Sequence, residues 1–308
     1  MKLSDAVHLY IQRKRDAGMR FHSPTNILRS FLRHCGDIDL RRITTQQVTA
    51  FLGGSGSMPS GWNGKLGTLR TFFDYWTARG RLKTSPLPSA RKVTQCFVPY
   101  IYTRADLRLL LDAVPHCQRR AACVMSEGTF RTLLLFLYAT GMRLGEALRL
   151  RLADVDLMLG ITIRDTKFYK SRLVPLGPDI ERRVRQYLHQ PGRRNQPYRP
   201  LFQTKNGNPI SALVAGTSFS RLRQIAGIER RDDSYFQPRL HDLRHTFAVH
   251  RLTEWYRQNA DVQRLLPALS TYLGHVSLSS TQRYLTMTPE LLEQANRRFE
   301  QYACGGAR

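Results

Sequence analysis

An arginine and a glutamate follow a glycine in the segment ATGMRLGE, residues 139–146. Gly141 predicts the end of one helix, and Arg143 is expected in the first turn of the next helix, with Glu146 on the same face. Because the first N–H groups of a helix lack partners, its N-terminus attracts anions, and an arginine there can grip two oxygens of one phosphate. Glu146 could orient that guanidinium group. Taken alone, the spacing is also that of an ordinary Arg–Glu surface pair.

A second arginine lies three residues after a histidine in the segment HDLRHTFA. The spacing predicts His241 and Arg244 on one face of a helix, with Leu243, Phe247 and Ala248 on the buried side. Histidine can move a proton near neutral pH and arginine can neutralise negative charge, the two tasks that phosphoryl transfer requires. A single HxxR motif is common and indicates little by itself.

A histidine and a tyrosine lie nine residues apart in the segment YLGHVSLSSTQRYL. A tyrosine is ordinarily a packing residue whose hydroxyl has a hydrogen-bond partner. As a nucleophile, Tyr284 would need its proton removed and the charge of the attacked phosphate neutralised. His275 and the side chains of the two preceding motifs could supply both.

Two lysines, Lys167 and Lys170, lie in the segment TKFYKSRLVPLG, where a basic turn is predicted between two strands. The motifs follow one order over about 140 residues, namely Arg-x-x-Glu, lysine, His-x-x-Arg, Gly-His and tyrosine. This order is more specific than any one of the motifs alone. In this order the chain resembles the tyrosine recombinases of the lambda-integrase type over roughly residues 100–300. The segments that carry the resemblance are ATGMRLGEALRL, TKFYKSRLVPLG, LFQTKNGNPIS, HDLRHTFA and YLGHVSLSSTQRYL.

The resemblance implies how the site would work. Arg143 and Arg244 would hold the non-bridging oxygens of the scissile phosphate. Tyr284 would attack phosphorus, leaving a 3′-phosphotyrosine and a free 5′-hydroxyl. Lys167 would protonate the leaving oxygen, and Lys170 competes with it for this role.

The same resemblance implies supporting roles for three further residues and the absence of a cofactor. His241 would help to deprotonate Tyr284, His275 would contact the phosphate, and Glu146 would support the site. No cofactor is expected, because these motifs contain neither an acidic cluster suited to Mg²⁺ nor a GxxxxGK[ST] loop for ATP. A phosphotyrosine ester keeps the energy of the broken bond, so rejoining would need no ATP.

The charge balance indicates a polyanionic partner. Lysine and arginine total 48 against 23 acidic residues, which gives a formal net charge of +25 and a pI near 10.7. Double-stranded DNA supplies a dense row of phosphates, although RNA and membrane surfaces are polyanions too. The basic residues are spread along the chain, which favours folded basic surfaces over a basic tail.

Targeting signals and cysteine usage indicate where the protein acts. No apolar run is long enough to cross a bilayer, and the start, MKLSD, lacks the apolar core of a secretion signal. We therefore expect a soluble protein of the prokaryotic cytoplasm, associated with the nucleoid when it acts. Reduced thiols and no zinc site are expected, because no CxxC pair occurs among the five cysteines, Cys35, Cys96, Cys117, Cys123 and Cys304.

The length of 308 residues suits two domains. Residues 1–88 are predicted to be a helical domain, similar to the core-binding domain of the family, followed by a proline-containing linker at 89–102. Residues 103–308 would be the catalytic domain, so the fold class is mainly α with a small β-sheet (α+β). In the first domain, helices are expected at 3–15, 24–34, after 45 and at 62–75, with a flexible loop at 53–57.

The catalytic domain is predicted to contain several capped helices. One should open at Thr103, with Asp106 completing a capping box, and another should run over 129–139 and end at Gly141. The further elements are a helix from about Met142 to Leu152, strands at 161–163 and 173–176, a helix from Pro178, a tight turn at 206–209, and helices at 212–226, 241–258 and 289–302.

Three functional hypotheses follow. The first is a recombinase that assembles as a homotetramer on paired DNA sites, with accessory recombinases as further partners. Its C-terminal segment, 289–302, would then dock on a neighbouring subunit or pack within its own chain. The segments STYLGH and TPELLEQA are similar to those of recombinases carried by transposons and insertion elements. The second hypothesis is a type IB topoisomerase, and the third is a non-catalytic DNA-binding relative.

Overall fold

In the computed structural model, the chain divides into two units, Met1–Cys96 and Phe97–Arg308. The sequence-based domain boundaries stay predictions, because most of the expected linker lies outside the described residues. The structure describes residues 1–19, 21–53, 59–88, 98–119, 122–164, 171–190, 196–232, 234, 236–275, 277–286, 292, 293 and 295–297.

The first unit is helical. Its helices confirm the four expected from the apolar periodicity, and a short 3₁₀ turn at Leu40–Arg42 precedes the third. The loop predicted at 53–57 lies largely outside the described residues. The helices are α1 (Leu3–Asp16), α2 (His22–Cys35), α3 (Thr45–Gly53) and α4 (Pro59–Thr77).

Aromatic side chains form the centre of the first unit. Phe72 and Phe73 of α4 are fully buried, and Tyr10 of α1 meets the Phe72 ring edge-to-face at 5.4 Å. Phe73 in turn lies 6.0 Å from Phe31 of α2, with the rings perpendicular. Such pairs contribute roughly 0.5–1.5 kcal/mol beyond their buried area. The aromatic stripe of α4 is therefore core, and it joins three helices.

The second unit is mainly helical, with a small sheet. Its longer helices pack around one large apolar cluster, and a second cluster lies between two helices near the C-terminal end of the chain. The helices are α5 (Arg104–Gln118), α6 (Glu127–Thr140), α7 (Leu144–Ala147), α8 (Pro178–Leu188), α9 (Ala212–Ile225), α10 (Asp242–Arg257), α11 (Val262–Leu273) and α12 (Ser279–Gln282).

Capping residues fix several helix ends as the sequence predicts. The Thr103 hydroxyl accepts a hydrogen bond from the Asp106 N–H, and the Asp106 carboxylate accepts one from the Thr103 N–H, so the predicted capping box of α5 is confirmed. Gly141 ends α6 in the left-handed region at φ 59°. Pro178 begins α8, whose Val184 side chain is buried. Sequence signals of this kind therefore locate the helix ends near the candidate site.

The helix predicted from Met142 to Leu152 is wrong. The only α-helical turn there is α7, four residues long, and Arg143 is its N-cap with extended dihedral angles rather than part of its first turn. Gly145 disfavours helix by about 1 kcal/mol relative to alanine. The chain after α7 instead forms main-chain hydrogen bonds with the segment 199–201, from Leu152 to Arg199 and from Leu201 to Leu150.

The sheet has three antiparallel strands in the order β1 (Val155–Asp156), β2 (Gly160–Ile163) and β3 (Arg172–Val174). The two predicted strands correspond to β2 and β3, whereas β1 is not predicted. The β3 strand ends before Pro175, which has no N–H to donate to a neighbouring strand. Arg172, expected in the basic turn, is the first residue of β3, and the turn residues 165–170 lie outside the described residues.

Helix α11 is also absent from the sequence-based prediction. Pro267 lies inside it and is a helix breaker by residue type, but the structure accommodates the proline within one helix. Asp261 caps the N-terminus by accepting from the Arg264 N–H, and Gly274 ends the helix at φ 68°. Most of the helix predicted at 289–302 lies outside the described residues. None of the helices in the described ranges is both long and apolar enough to span a membrane.

Candidate active site

Arg143 is held at the start of α7 by one carboxylate and one carbonyl. Its Nη1 donates to Glu146 Oε1 at 2.8 Å, and its Nη2 donates to the Gly274 carbonyl at 2.9 Å. The Arg143 main-chain N–H also donates to Glu146 Oε2 at 3.2 Å. The side chain is 38% exposed. Because a guanidinium group has five N–H donors, these contacts leave others for an anion arriving from solvent.

Glu146 is buried and lies between two arginines. Arg172 Nη2 donates to its Oε2 at 2.7 Å and Arg172 Nη1 to its Oε1 at 3.3 Å, while Arg143 donates to the same Oε1. Burial favours the neutral carboxyl, but the hydrogen bonds and charges of Arg172 and Arg143 hold the pKa of Glu146 below its ordinary value. The carboxylate is therefore ionised at neutral pH, and the group of three carries a net positive charge.

Arg244 is the most deeply buried arginine of the site, with 3% of its surface exposed. Its Nη1 donates to the Gly141 carbonyl at 2.6 Å and its Nη2 to the Leu273 carbonyl at 2.8 Å. Burial, together with the charge of Arg143, lowers the pKa of Arg244 to about 10, so the group is still cationic at neutral pH. Both acceptors lie at helix C-termini, where carbonyl groups carry partial negative charge.

Two glycines make these carbonyls available. Gly141 at the end of α6 and Gly274 at the end of α11 both have positive φ, which side chains disfavour. A Cβ on Gly141 would collide with the Phe247 ring, and a Cβ on Gly274 would lie 2.6 Å from Nη1 of Arg172. Either substitution would therefore strain the backbone and displace a neighbour. The two helix ends can approach the arginines only as glycine turns.

Tyr284 lies beside Arg244 and is 3% exposed. Its hydroxyl is 3.2 Å from Nδ1 of His245, and its ring is stacked at 6.1 Å on the ring of His275. Burial raises the pKa of Tyr284, while the charge of Arg244 acts in the opposite direction. In the free protein the phenol is therefore protonated at neutral pH.

Three histidines surround the phenol. His275 Nδ1 is 2.7 Å from the Thr281 hydroxyl, and the His241 ring meets the His245 ring edge-on at 5.2 Å. Loss of hydration and nearby guanidinium groups lower the pKa of His241 and of His275 to about 4, and loss of hydration together with His241 lowers that of His245 to about 3. All three imidazoles are neutral at pH 7 in the free protein.

The structure brings most of the residues predicted from the sequence into one place. The arginines, the tyrosine and His275 are joined through the end of α11, because Arg143 and Arg244 bind successive carbonyls of the turn that precedes His275. Lys167 and Lys170 lie outside the described residues. The predicted residues that meet here are Arg143, Glu146, His241, Arg244, His275 and Tyr284.

Two contact residues are not found by the sequence reasoning. His245, rather than His241, is the histidine within hydrogen-bond distance of the Tyr284 hydroxyl. The sequence feature that could have identified His245 is its position in HDLRH, one helical turn after His241. Arg172 is predicted only as part of a basic turn, and nothing in its spacing links it to Glu146.

A depression in the surface adjoins Tyr284. It has a volume of about 280 Å³ and is lined by Tyr284, His241, His245, Arg239 and Arg283, among others. Histidine and arginine side chains there can donate hydrogen bonds to an anion. Within the described part of the chain, no group of three or more histidine, cysteine, aspartate or glutamate side chains could hold a metal ion.

Comparison with known proteins identifies relatives over nearly the whole chain. Residues 105–290 match the model of the phage integrase family. The y4rB protein of Sinorhizobium fredii, named as an integrase/recombinase, is 38% identical over 307 residues, which covers 96% of each chain. Tyrosine recombinase XerC of Staphylococcus haemolyticus is 28% identical over 241 residues, covering 75% of this chain and 71% of XerC.

The fold is also that of solved structures. A lambda integrase tetramer bound to a Holliday junction aligns with a TM-score of 0.67 at 18% sequence identity, covering 90% of this chain and 78% of that one. At this identity the likeness concerns the fold. It agrees with the helical class with a small sheet that the sequence predicts.

Proposed function

Since this chain belongs to the phage integrase family and is a site-specific tyrosine recombinase, we propose that it cleaves and rejoins DNA through a 3′-phosphotyrosine at Tyr284, without metal ion or ATP. The observation that carries the proposal is the position of the Tyr284 hydroxyl, which lies among Arg244, His245 and His275. A phosphate that reaches this hydroxyl would lie next to the cationic Arg244, which two main-chain carbonyls already hold in place. Catalysis of phosphoryl transfer depends mainly on such positioning and charge stabilisation.

In the cleavage step, the Tyr284 oxygen attacks phosphorus and the bond from phosphorus to the 5′-oxygen breaks. Arg143 and Arg244 donate to the non-bridging oxygens, and His275 contacts the same phosphate. Lys167 gives its proton to the departing 5′-oxygen, with Lys170 as the competing donor. Rejoining is the reverse reaction, in which a 5′-hydroxyl attacks the phosphotyrosine and releases the phenol.

The phenolic proton leaves through histidines. His245 is within hydrogen-bond distance of the phenol, and the ring of His241 contacts that of His245. We therefore assign to His241 its sequence-based role of helping to deprotonate Tyr284, acting through His245. A bound phosphate would raise the pKa of these imidazoles from about 3 and about 4, because it brings negative charge to a site rich in arginine.

Double-stranded DNA is the proposed partner, and a homotetramer on two paired sites is the proposed assembly. The formal net charge of +25 supports a polyanionic ligand. The tetramer of lambda integrase on a Holliday junction has the same fold. We place the activity in the cytoplasm of a prokaryotic cell and in the service of a mobile element. Support for the latter comes from the segments STYLGH and TPELLEQA.

Covalent capture tests this function. The full chain is incubated with nicked duplexes that carry a randomised segment, so that the short strand released by cleavage diffuses away and the adduct persists. Wild type is expected to form detergent-stable adducts in the presence of a chelator, with an enriched sequence. The Tyr284→Phe variant should retain DNA binding and form no adduct.

Several outcomes would overturn the proposal. Adduct formation by Tyr284→Phe at the wild-type level would remove the nucleophile assignment. DNA binding by wild type without any adduct would favour the non-catalytic alternative. Relaxation of supercoiled plasmid without sequence enrichment would favour the topoisomerase alternative. The enriched sequence itself, compared with the ends of mobile elements, tests the biological role.

A further inference from the structure

Arg172 uses all three nitrogens of its guanidinium group inside the protein. Its Nε donates to the Tyr272 carbonyl at 3.0 Å, and both Nη atoms donate to Glu146 at 2.7 and 3.3 Å. The side chain is 11% exposed. These contacts join the first residue of β3 to α7 and to the end of α11. Arg172 therefore faces the protein rather than an external ligand.

The charge on Glu146 is divided between two arginines. If Arg172 were absent, the carboxylate would have Arg143 as its one close cation, and a bidentate pair would be the favoured geometry. Such a pair would be neutral as a whole, and it would take up N–H groups of Arg143 that a phosphate needs. With Arg172 present, the group of three keeps one net positive charge and Glu146 binds Arg143 through one oxygen of its side chain to Nη1.

The turn before His275 is bound from two sides. Arg172 donates to the carbonyl of Tyr272, and Arg143 donates to the carbonyl of Gly274. The guanidinium group of Arg172 lies against Gly274, because a Cβ there would be 2.6 Å from Nη1 and 2.8 Å from Cζ. His275 follows this turn directly, and its ring is stacked on that of Tyr284.

We propose that Arg172 is a positioning residue that sets Arg143 and His275 relative to each other and keeps Arg143 available to the phosphate. The inference rests on the proposed function of the site, since it gives Arg172 a task only if Arg143 binds the scissile phosphate. Arg172 acts through Glu146 and through the turn 272–274, and it does not touch the substrate.

Single-turnover cleavage of two matched duplexes tests the role. Both contain the sequence recovered by covalent capture with the wild-type enzyme. One has an ordinary scissile phosphate, and the other has a methylphosphonate there, in which a methyl group replaces a charged non-bridging oxygen. Removing that charge reduces the need for a correctly placed arginine, while the tyrosine attack and the leaving group stay the same.

Arg172→Ala and Arg143→Ala are expected to cleave the ordinary phosphate more slowly than wild type, the former by about 10- to 100-fold, the range for a misplaced catalytic group. On the methylphosphonate, the ratio of each variant to wild type should rise at least about tenfold. Arg172→Lys, which keeps the charge but can reach fewer acceptors, should recover part of the rate on phosphate. Arg185→Ala, which breaks an exposed ion pair, is the matched control and should cleave both duplexes as wild type does.

The outcomes separate a positioning role from a structural one. An equal loss of Arg172→Ala on both duplexes would show that Arg172 only maintains the fold, and wild-type cleavage by Arg172→Ala would show that it has no role. If Arg172→Ala does not fold, the same comparison of the two duplexes is made with Arg172→Lys. Either result leaves the proposed function intact, because that function fails only when wild type forms no adduct with the DNA library.

Discussion

The two units of the chain bury different kinds of side chain. In the part of Met1–Cys96 that the structure describes, Thr25 is the only buried polar residue, and the core is aliphatic and aromatic. The described part of Phe97–Arg308 buries charged groups as well, namely Glu146, Arg223, Asp242 and Arg244. The first unit is therefore held together chiefly by apolar burial, and the second also by partnered charges.

Because of this difference, the side chains that stabilise the first unit are of another kind than those that position the site residues in the second. Apolar contacts are non-directional, so a core of the first kind tolerates changes of shape more readily than a buried ion pair does. A buried charge needs defined partners, and removal of one partner typically costs about 3–5 kcal/mol. In the second unit the partners of Arg143 and Arg244 include carbonyls at the ends of α6 and α11, which fixes these two arginines to main-chain positions. The comparison predicts that core substitutions in the first unit lower the free energy of unfolding, whereas substitutions of the site arginines in the second unit lower the rate of cleavage.

The largest effect is expected for Arg244→Ala. Cleavage of the captured duplex should fall by roughly 10³–10⁵-fold, the range for an arginine that stabilises phosphoryl transfer. The change also leaves the carbonyls of Gly141 and Leu273 without this donor. Single-turnover adduct formation at saturating DNA measures the loss, with Arg185→Ala as the control. A loss below tenfold would contradict the assignment of Arg244 to the phosphate.

A core substitution in the first unit should show the opposite behaviour. Phe73 is fully buried among aromatic rings, and Phe73→Ala should lower the free energy of unfolding by about 3–5 kcal/mol. At a temperature where the variant is still folded, the rate of adduct formation at saturating DNA should equal that of wild type. Denaturant unfolding and single-turnover cleavage measure the two quantities. A reduced cleavage rate in the folded variant would mean that the units are not functionally separable in this way.

The apolar pattern predicted the first unit well, because helix periodicity and core burial depend on the same side chains. Leu66, Leu69, Phe72, Phe73 and Trp76 are all buried, as their spacing indicates. In the second unit, the sequence predicted the residue types of the site and the glycine that ends α6. The glycine was predictable because capping is a local property of the chain, whereas the site residues were predicted from the order of their motifs and the family resemblance.

The contacts that organise the site could not be predicted from the sequence. The acceptors for Arg143 and Arg244 are main-chain carbonyls, which every residue has, so no residue type marks them. Arg172 meets Glu146 through a contact between residues 26 positions apart in the chain. The short α7 reflects pairing with the distant segment 199–201, which overrides the local helical pattern.

An effect of intermediate size on stability is expected when the pH is lowered. The folded-state pKa values of His275, about 4, and His245, about 3, lie below the ordinary histidine value of 6.5. Between pH 6.5 and about 4 the unfolded chain binds protons that the folded chain does not, so stability is complete above pH 6.5 and is lost as pH falls. For a pKa lowered to about 4, the loss at pH 5 is about 2 kcal/mol per histidine.

Thermal unfolding between pH 7.5 and 5 measures this dependence. The midpoint should fall over that range, and the fall should be smaller in His245→Asn, which removes one of the titrating groups. In the first unit, hydrogen bonds from main-chain N–H groups lower the pKa of Asp37 and Asp39, so their contribution is lost only below about pH 4. A midpoint that stays constant or rises between pH 7.5 and 5 would contradict the buried neutral histidines.

The smallest effect is expected on the surface of the second unit. Glu181 and Arg185 form an i,i+4 pair at 2.8 Å on α8, and the arginine is half exposed. Because water and salt screen such a pair, Glu181→Ala should change the free energy of unfolding by less than about 0.5 kcal/mol. An ion pair of similar length in the interior, Arg172 and Glu146 at 2.7 Å, should matter far more, and Glu146→Ala should cost at least about 3 kcal/mol. Denaturant unfolding of the two glutamate variants gives the ratio directly, and equal losses would show that burial of charge is not what distinguishes the second unit.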